Sequence, residues 1–275
     1  MASTETSILA TLIPNGDWKQ AVTFCEADAE LSSRWYSLPD FYDRSHDEEM
    51  FDVLPIHHAC ANQPSVKMIQ VLIDSYPNCV KIKDPSYLRL PLHIACRSGA
   101  SEETISSLLE SYPEGAGEKD ILGRLPLHYA CANAASNQVI QKLVDSYPQG
   151  CREKDMKGWI PLHILVSKKE KSFKVKYVLD AYPEGMDVKT SGGSTPRDLA
   201  KGMRMKFRIR TSSRSSGLSI IRRNSHRKEE KCSDSCSTVD ISHDCDPPIP
   251  LHARGTLGES SIRKSPTFAK YEETG

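Results

Sequence analysis

Apolar residues along the middle of the chain return every three or four positions, and that frame itself repeats. Ile69, Leu72, Ile73 and Tyr76 fall at i, i+3, i+4 and i+7, and the spacing returns at Ile105, Leu108, Leu109 and Tyr112. Two further copies follow at Ile140, Leu143, Val144, Tyr147 and at Val175, Val178, Leu179, Tyr182. Polar Gln70, Glu110, Gln141 and Lys176 fill the other face, so each segment predicts an amphipathic helix with one stripe to bury. A proline follows each tyrosine and ends the helix, because the residue before proline is pushed out of helical dihedrals.

A second pattern keeps the same beat. Leu54 to Cys60 reads LPIHHAC, Leu90 to Cys96 LPLHIAC, Leu125 to Cys131 LPLHYAC and Ile160 to Val166 IPLHILV, with a degraded copy, TPRDLA, from Thr195 to Ala200. The prolines Pro55, Pro91, Pro126, Pro161 and Pro196 are separated by 36, 35, 35 and 35 residues, and each Tyr-Pro lies 21 residues after its proline. Such regularity marks an array of units. Each heptapeptide predicts the start of a shorter helix with proline at its first position, where the missing N–H costs nothing. Ala59 with Cys60, Ala95 with Cys96 and Ala130 with Cys131 supply small side chains for close helix packing. One helix pair cannot exclude water, but stacked copies cover one another's stripes.

Proline, leucine, histidine, any residue and alanine, followed by two helices and a polar turn, resemble the ankyrin repeat over residues 54–201: four full copies and a terminal fragment. The LPLHxAC form with a YPEG exit, at Tyr112–Gly115 and Tyr182–Gly185, is similar to an ankyrin subtype with a period of about 35 rather than about 33. The added length is expected in the loop after the second helix. The resemblance implies an all-α solenoid of helix pairs with short turn fingers. It also implies that His57, His93, His128 and His163 hydrogen-bond turn backbone, and that partners bind the concave side across fingers and first helices. The sequence departs from the family where leucine or isoleucine replaces the threonine before proline in all full copies, removing a hydroxyl cap that Thr195 alone restores.

Ahead of the array, Asp17 to Tyr36 carries Trp18, Val22, Cys25 and Ala29 at helical spacing and is expected to be a degenerate cap; residues 1–53 then comprise that cap and an irregular acidic loop, an enlarged first finger, over Leu38 to Val53. Arg197 and Asp198 replace leucine and histidine in the last copy, which suits a helix without an outer neighbour. From residue 202 to 275 the periodicity stops, and Ser, Arg, Lys, Pro and Asp predominate, the composition of a disordered tail.

Charge excludes little globally, since Lys plus Arg and Asp plus Glu both number 36. Locally, Lys201 to Lys231 holds eleven Lys or Arg against Glu229 and Glu230, and Ser225 after Arg222-Arg223-Asn224 resembles a basophilic kinase site. A solvated basic tail without special role is the plainer reading. With no basic start and apolar stretch near Met1 and no run of about 18 apolar residues, a soluble, cytoplasmic or nuclear monomer is expected, and the nine cysteines read as reduced thiols.

The recurring His-x-x-Cys pairs invite a metal or nucleophile reading. Corresponding residues of successive copies lie about 10 Å apart, beyond the reach of one tetrahedral zinc with bonds near 2.0 to 2.3 Å. Catalysis would also need its groups to converge once, not to recur. Cys232, Cys236 and Cys245 with His226 and His243 lack the paired short spacings of a zinc site. No phosphate loop, GxSxG or HExxH occurs. No cofactor and no catalytic site are expected.

A non-catalytic scaffold binding another protein is therefore the first expectation. Its contact residues would be those that vary between copies: Tyr87 and Arg89, Ile121, Leu122 and Arg124, and Met156, Lys157 and Trp159 at the turn tips. Arg97, Asn133 and Lys168 would join them at the ends of the first helices. Trp159, which replaces Arg89 and Arg124 at one repeat position, either anchors a partner or packs on the neighbouring finger. The alternative function is nucleic-acid or anionic-membrane binding through residues 201–231, with the repeats as a secondary platform and steep salt dependence as its signature.

Overall fold

A computed structural model of the chain describes residues 8–39, 41, 50–170 and 172–201. Residues 202–275, with Ser225 and the basic segment beyond Lys201, lie outside the described residues, as does much of the acidic stretch 40–49.

The array is a row of helix pairs. First helices are α3 (Pro55–Ala61), α5 (Pro91–Ser98), α7 (Pro126–Ala132), α9 (Pro161–Ser167) and α11 (Pro196–Lys201), each packed on the next. Outer helices are α2 (Trp18–Ala27), α4 (Val66–Ser75), α6 (Glu102–Ser111), α8 (Asn137–Ser146) and α10 (Ser172–Ala181), likewise packed in sequence. The predicted stripes are the core: Ile69, Leu72, Ile105, Leu108, Ile140, Leu143, Val175 and Val178 are all buried. Ser65, Ser101 and Ser136 cap the outer helices, each hydroxyl accepting a backbone N–H three residues on at 3.2 Å. Tyr76, Tyr112, Tyr147 and Tyr182 end them, and the following prolines open one-turn 3-10 helices such as Pro113–Gly117 that lead back to the fingers.

The leucine in place of a threonine cap has a physical explanation. Leu54, Leu90, Leu125 and Ile160 have no acceptor to offer, yet all are buried. A Cβ placed on Gly115, Gly150 or Gly185 would come within 3.0 to 3.1 Å of the Tyr112, Tyr147 or Tyr182 ring and 3.2 to 3.5 Å of Leu90, Leu125 or Ile160. In those three copies the exit glycine leaves room for both the tyrosine ring and the buried aliphatic cap residue; in the first copy Cys79 stands at that place. At the last copy Thr195 and Asp198 form the full reciprocal cap: Thr195 N–H donates to the Asp198 carboxylate at 3.2 Å and Asp198 N–H to the Thr195 hydroxyl at 3.1 Å.

The N-terminal region corrects the sequence expectation in two respects. Ahead of α2 lies a further helix, α1, described over residues 8–12, with Leu9 and Ile13 fully buried. Helix α2 ends at Ala27, and Ala29 belongs to a 3-10 turn (Ala29–Ser33) packed on α3 and α4. The cap is therefore a degenerate copy of the whole unit. The stretch expected to be irregular contains an antiparallel pair, β1 (Tyr36–Pro39) and β2 (Met50–Val53), in register from Tyr36 opposite Val53 to Pro39 opposite Met50. Phe51 and Val53 point inward along β2 while Met50 and Asp52 point out, the period-two alternation that a half-buried strand requires. The all-α expectation holds for the stack; its enlarged first finger is a β-ribbon.

Candidate binding surface

Fingers precede each first helix and are built alike. The Asp84 carboxylate accepts N–H bonds from Ser86, Tyr87 and Arg89 at 2.7 to 2.9 Å. Asp120 does so from Leu122 and Arg124 at 2.8 to 2.9 Å, and Asp155 from Lys157 and Trp159 at 2.8 to 2.9 Å. Successive fingers are joined through their backbones: Ile121 N–H donates to Tyr87 C=O at 2.9 Å, Met156 N–H to Leu122 C=O at 3.0 Å and Ser191 N–H to Lys157 C=O at 3.0 Å. At the ribbon end, Phe51 stacks on Tyr87 with centroids 6.4 Å apart. The fingers thus form one continuous edge.

Histidines lock each finger to its helix. Each ring accepts the N–H of its cap residue on Nδ1, at 3.1 to 3.2 Å for Leu54, Leu90, Leu125 and Ile160. The proton is therefore on Nε2, which donates to Ile82, Arg124, Trp159 and Ser194 C=O at 3.0 to 3.3 Å. In three copies that carbonyl belongs to the finger of the next copy. Burial, which disfavours the charged ring, lowers the pKa to about 4 for His57 and His128 and to about 3 for His93, and lowers that of His163. Burial also pushes the Cys60, Cys96 and Cys131 thiols upward, away from the thiolate form that binds metals or attacks. Among the described residues no group of three His, Cys, Asp or Glu side chains is placed to hold an ion.

The expected contact residues divide. Ile121, Met156, Lys157 and Lys168 are exposed, with Met156 72% accessible. Tyr87, Leu122, Arg97, Asn133 and Trp159 are half-buried. Asn133 turns back, its amide donating to Tyr129 C=O at 3.0 Å, so it closes its own helix. The Trp159 ring lies 5.8 Å from the His163 ring, on its own repeat, and the residue is half-buried.

Arg89 overturns the expectation of a turn-tip contact: it is fully buried. Its Nε donates to the Tyr129 hydroxyl at 3.1 Å and lies 3.7 Å from Asp120, while Tyr129 donates to Asp120 at 2.6 Å. The guanidinium also sits over the Tyr87 and Tyr129 rings, 4.4 and 5.2 Å from their centroids. Arg124 is intermediate, its side chain 13% exposed and 3.7 Å from Asp155. Sequence spacing placed Arg89 in the finger; the covering tyrosine comes from forty residues away and left no local sign.

Sequence reasoning also passed over Leu88. Leu88 is exposed and left-handed at φ 55°, where the later fingers carry Gly123, Gly158 and Gly193. Lys169 ends the α9 segment at φ 57° and is exposed beside Lys168. Comparison with known proteins agrees with the geometry: a family model described as ankyrin repeats (3 copies) matches residues 56–147. No curated protein matches the chain.

Proposed function

We propose that this chain, an ankyrin-repeat protein, is a non-catalytic scaffold that holds a partner protein against its palm, the side formed by the fingers and the ends of the first helices. Ankyrin repeats are generally protein–protein interaction modules. What supports the reading here is a division of labour among positions. Residues that recur in every copy are used up in caps, finger bonds and core, while exposed Ile121, Met156, Lys157 and Lys168 differ from copy to copy. Joined fingers hold those side chains on a fixed edge, which lowers the ordering cost of binding. Trp159, half-buried beside His163, is the anchor in this reading.

Affinity capture from the native cell with the full chain tests it. Trp159→Ala is expected to leave the helical circular-dichroism signal and melting temperature nearly unchanged and to weaken capture by an amount typical of an interface anchor, about 2 kcal/mol. Met156→Asp is expected to act in the same direction. Capture that survives both substitutions but is lost on changes to the outer helices would place the binding surface elsewhere; a large fall in stability for Trp159→Ala would assign that ring to the core.

A further inference from the structure

Charge is unevenly distributed between the two sides of the stack. On the palm, Asp84, Asp120 and Asp155 turn into their own fingers and accept backbone N–H bonds, so their charge faces protein. Glu170, next to the end of α9, is held by Lys174 at 3.0 Å. Around the fourth copy the exposed charges are then cationic: Lys157 on the fourth finger edge, and Lys168 and Lys169 at the end of α9; the exposed acid Asp52 belongs to the β-ribbon at the other end of the row. On the finger edge Ile121 and Met156 are exposed as well. The outer helices show the reverse. Asp74, Glu103, Glu110, Asp145 and Asp180 are exposed there beside the exposed cations Lys19 and Lys176, while Lys67 and Lys142 face Glu26 and Glu102 at 2.8 and 3.5 Å.

Resting on the scaffold reading, we propose that the palm's occupant is an acidic peptide segment of another protein, carrying apolar residues between its carboxylates and lying extended across the fingers. Successive repeats are spaced by about one helix diameter, roughly 10 Å. Exposed Ile121 and Lys157 lie on neighbouring fingers, so about 10 Å separates them, a span that three extended residues cover at about 3.3 Å each. Apolar side chains of such a segment would meet Ile121, Met156 and half-buried Trp159, and its carboxylates would meet the lysines. A nucleic-acid strand fits less well. It carries a charge about every 3.4 Å, far denser than these cations, and would set charge against Ile121 and Met156.

The test is fluorescence anisotropy on the full chain with a labelled twelve-residue peptide alternating Asp or Glu with Leu or Phe. A control peptide carries Asn and Gln in place of the acids, and a third probe is a thymidine oligonucleotide. The acidic peptide is expected to bind about tenfold or more tightly than its amide counterpart, with affinity falling as salt rises. The triple variant Lys157→Glu, Lys168→Glu, Lys169→Glu should lose most of that preference. The outer-face reversal Lys176→Glu should change it less than about twofold. Equal binding of acidic and amide peptides, equal sensitivity to Lys176→Glu, or an oligonucleotide that binds the palm more tightly and is lost in the triple variant would each overturn the proposal. Persistence of the acidic preference in the triple variant would do so as well, by moving the binding off the palm. If palm variants lose the captured cellular partner while the two peptides bind alike, the scaffold reading stands and the acidic partner falls.

Discussion

Arg89 and Trp159 occupy the same place in two copies of one repeat, the residue before the cap, and the structure puts them to opposite uses. Arg89 is sealed beneath Tyr129 and Asp120 and joins the second repeat to the third. Trp159 is only half-buried, its ring beside His163. Arg124, between them, has a carboxylate 3.7 Å away, sits over the Tyr129 ring 5.6 Å from its centroid, and keeps 13% of its side chain exposed. The difference comes from the following copy. Tyr129 brings a hydroxyl over Arg89, while the corresponding Ile164 and Leu199 bring none over Arg124 or Trp159. In a repeat array, whether a position belongs to framework or to surface is set by its neighbour, so burial changes along the row even where the motif does not.

Acidification should strike the framework hardest. His57 and His128 titrate at about 4 when folded and His93 at about 3, against 6.5 for the free ring, so between those values the unfolded chain binds more protons. Stability is then fully present above about pH 6.5 and lost as pH falls toward 4, by several kcal/mol summed over the copies. Urea midpoints measured across that range should decline steadily; a flat profile would mean the rings are not held neutral.

Arginine substitutions sharpen the comparison directly. Arg89→Ala leaves Asp120 buried with its charge partner removed and is expected to cost about 3 to 5 kcal/mol. Arg124→Ala, at a side chain that keeps 13% exposure, should cost less, about 1 to 2 kcal/mol. Equal losses in chemical denaturation would erase the distinction between the two fingers.

Gly158→Ala tests the joint between the last two fingers. Its φ is 75°, and a Cβ would stand 2.7 Å from Ser191 N, so the Lys157–Ser191 bond has to open. A loss of about 1 to 3 kcal/mol is expected, with faster hydrogen exchange at the Ser191 amide. The smallest effect should be a gain. Lys169 is left-handed at φ 57°, where the second copy has Gly99 at 72°, so Lys169→Gly should stabilise by up to about 1 kcal/mol in the same denaturation experiment.

Much of the framework was readable because repetition multiplies weak local signals. Four tyrosine-proline exits and four histidines at one spacing outweigh any single ambiguous residue, and the outer-helix stripes are buried as their periodicity required. The β-ribbon was not readable, because Tyr36–Pro39 and Met50–Val53 occur once and are too short for alternation to stand out. Helix α1 escaped notice for the same reason. Among candidate contacts, Ile121, Met156, Lys157 and Lys168 are exposed, while Arg89 is sealed in the protein and half-buried Asn133 bonds its own helix.

The amino-acid sequence by itself determined the unit and its beat: where helices start and stop, which stripe is buried, and how many copies follow one another. Those properties depend on dihedral preferences and on contacts within about one turn. Tertiary structure alone decided which finger residues stay in water, which arginine becomes a buried link, and which charges remain outward on the palm. These depend on side chains supplied by the next copy, some thirty-five residues away, and on aspartates that turn their charge inward once the finger has closed.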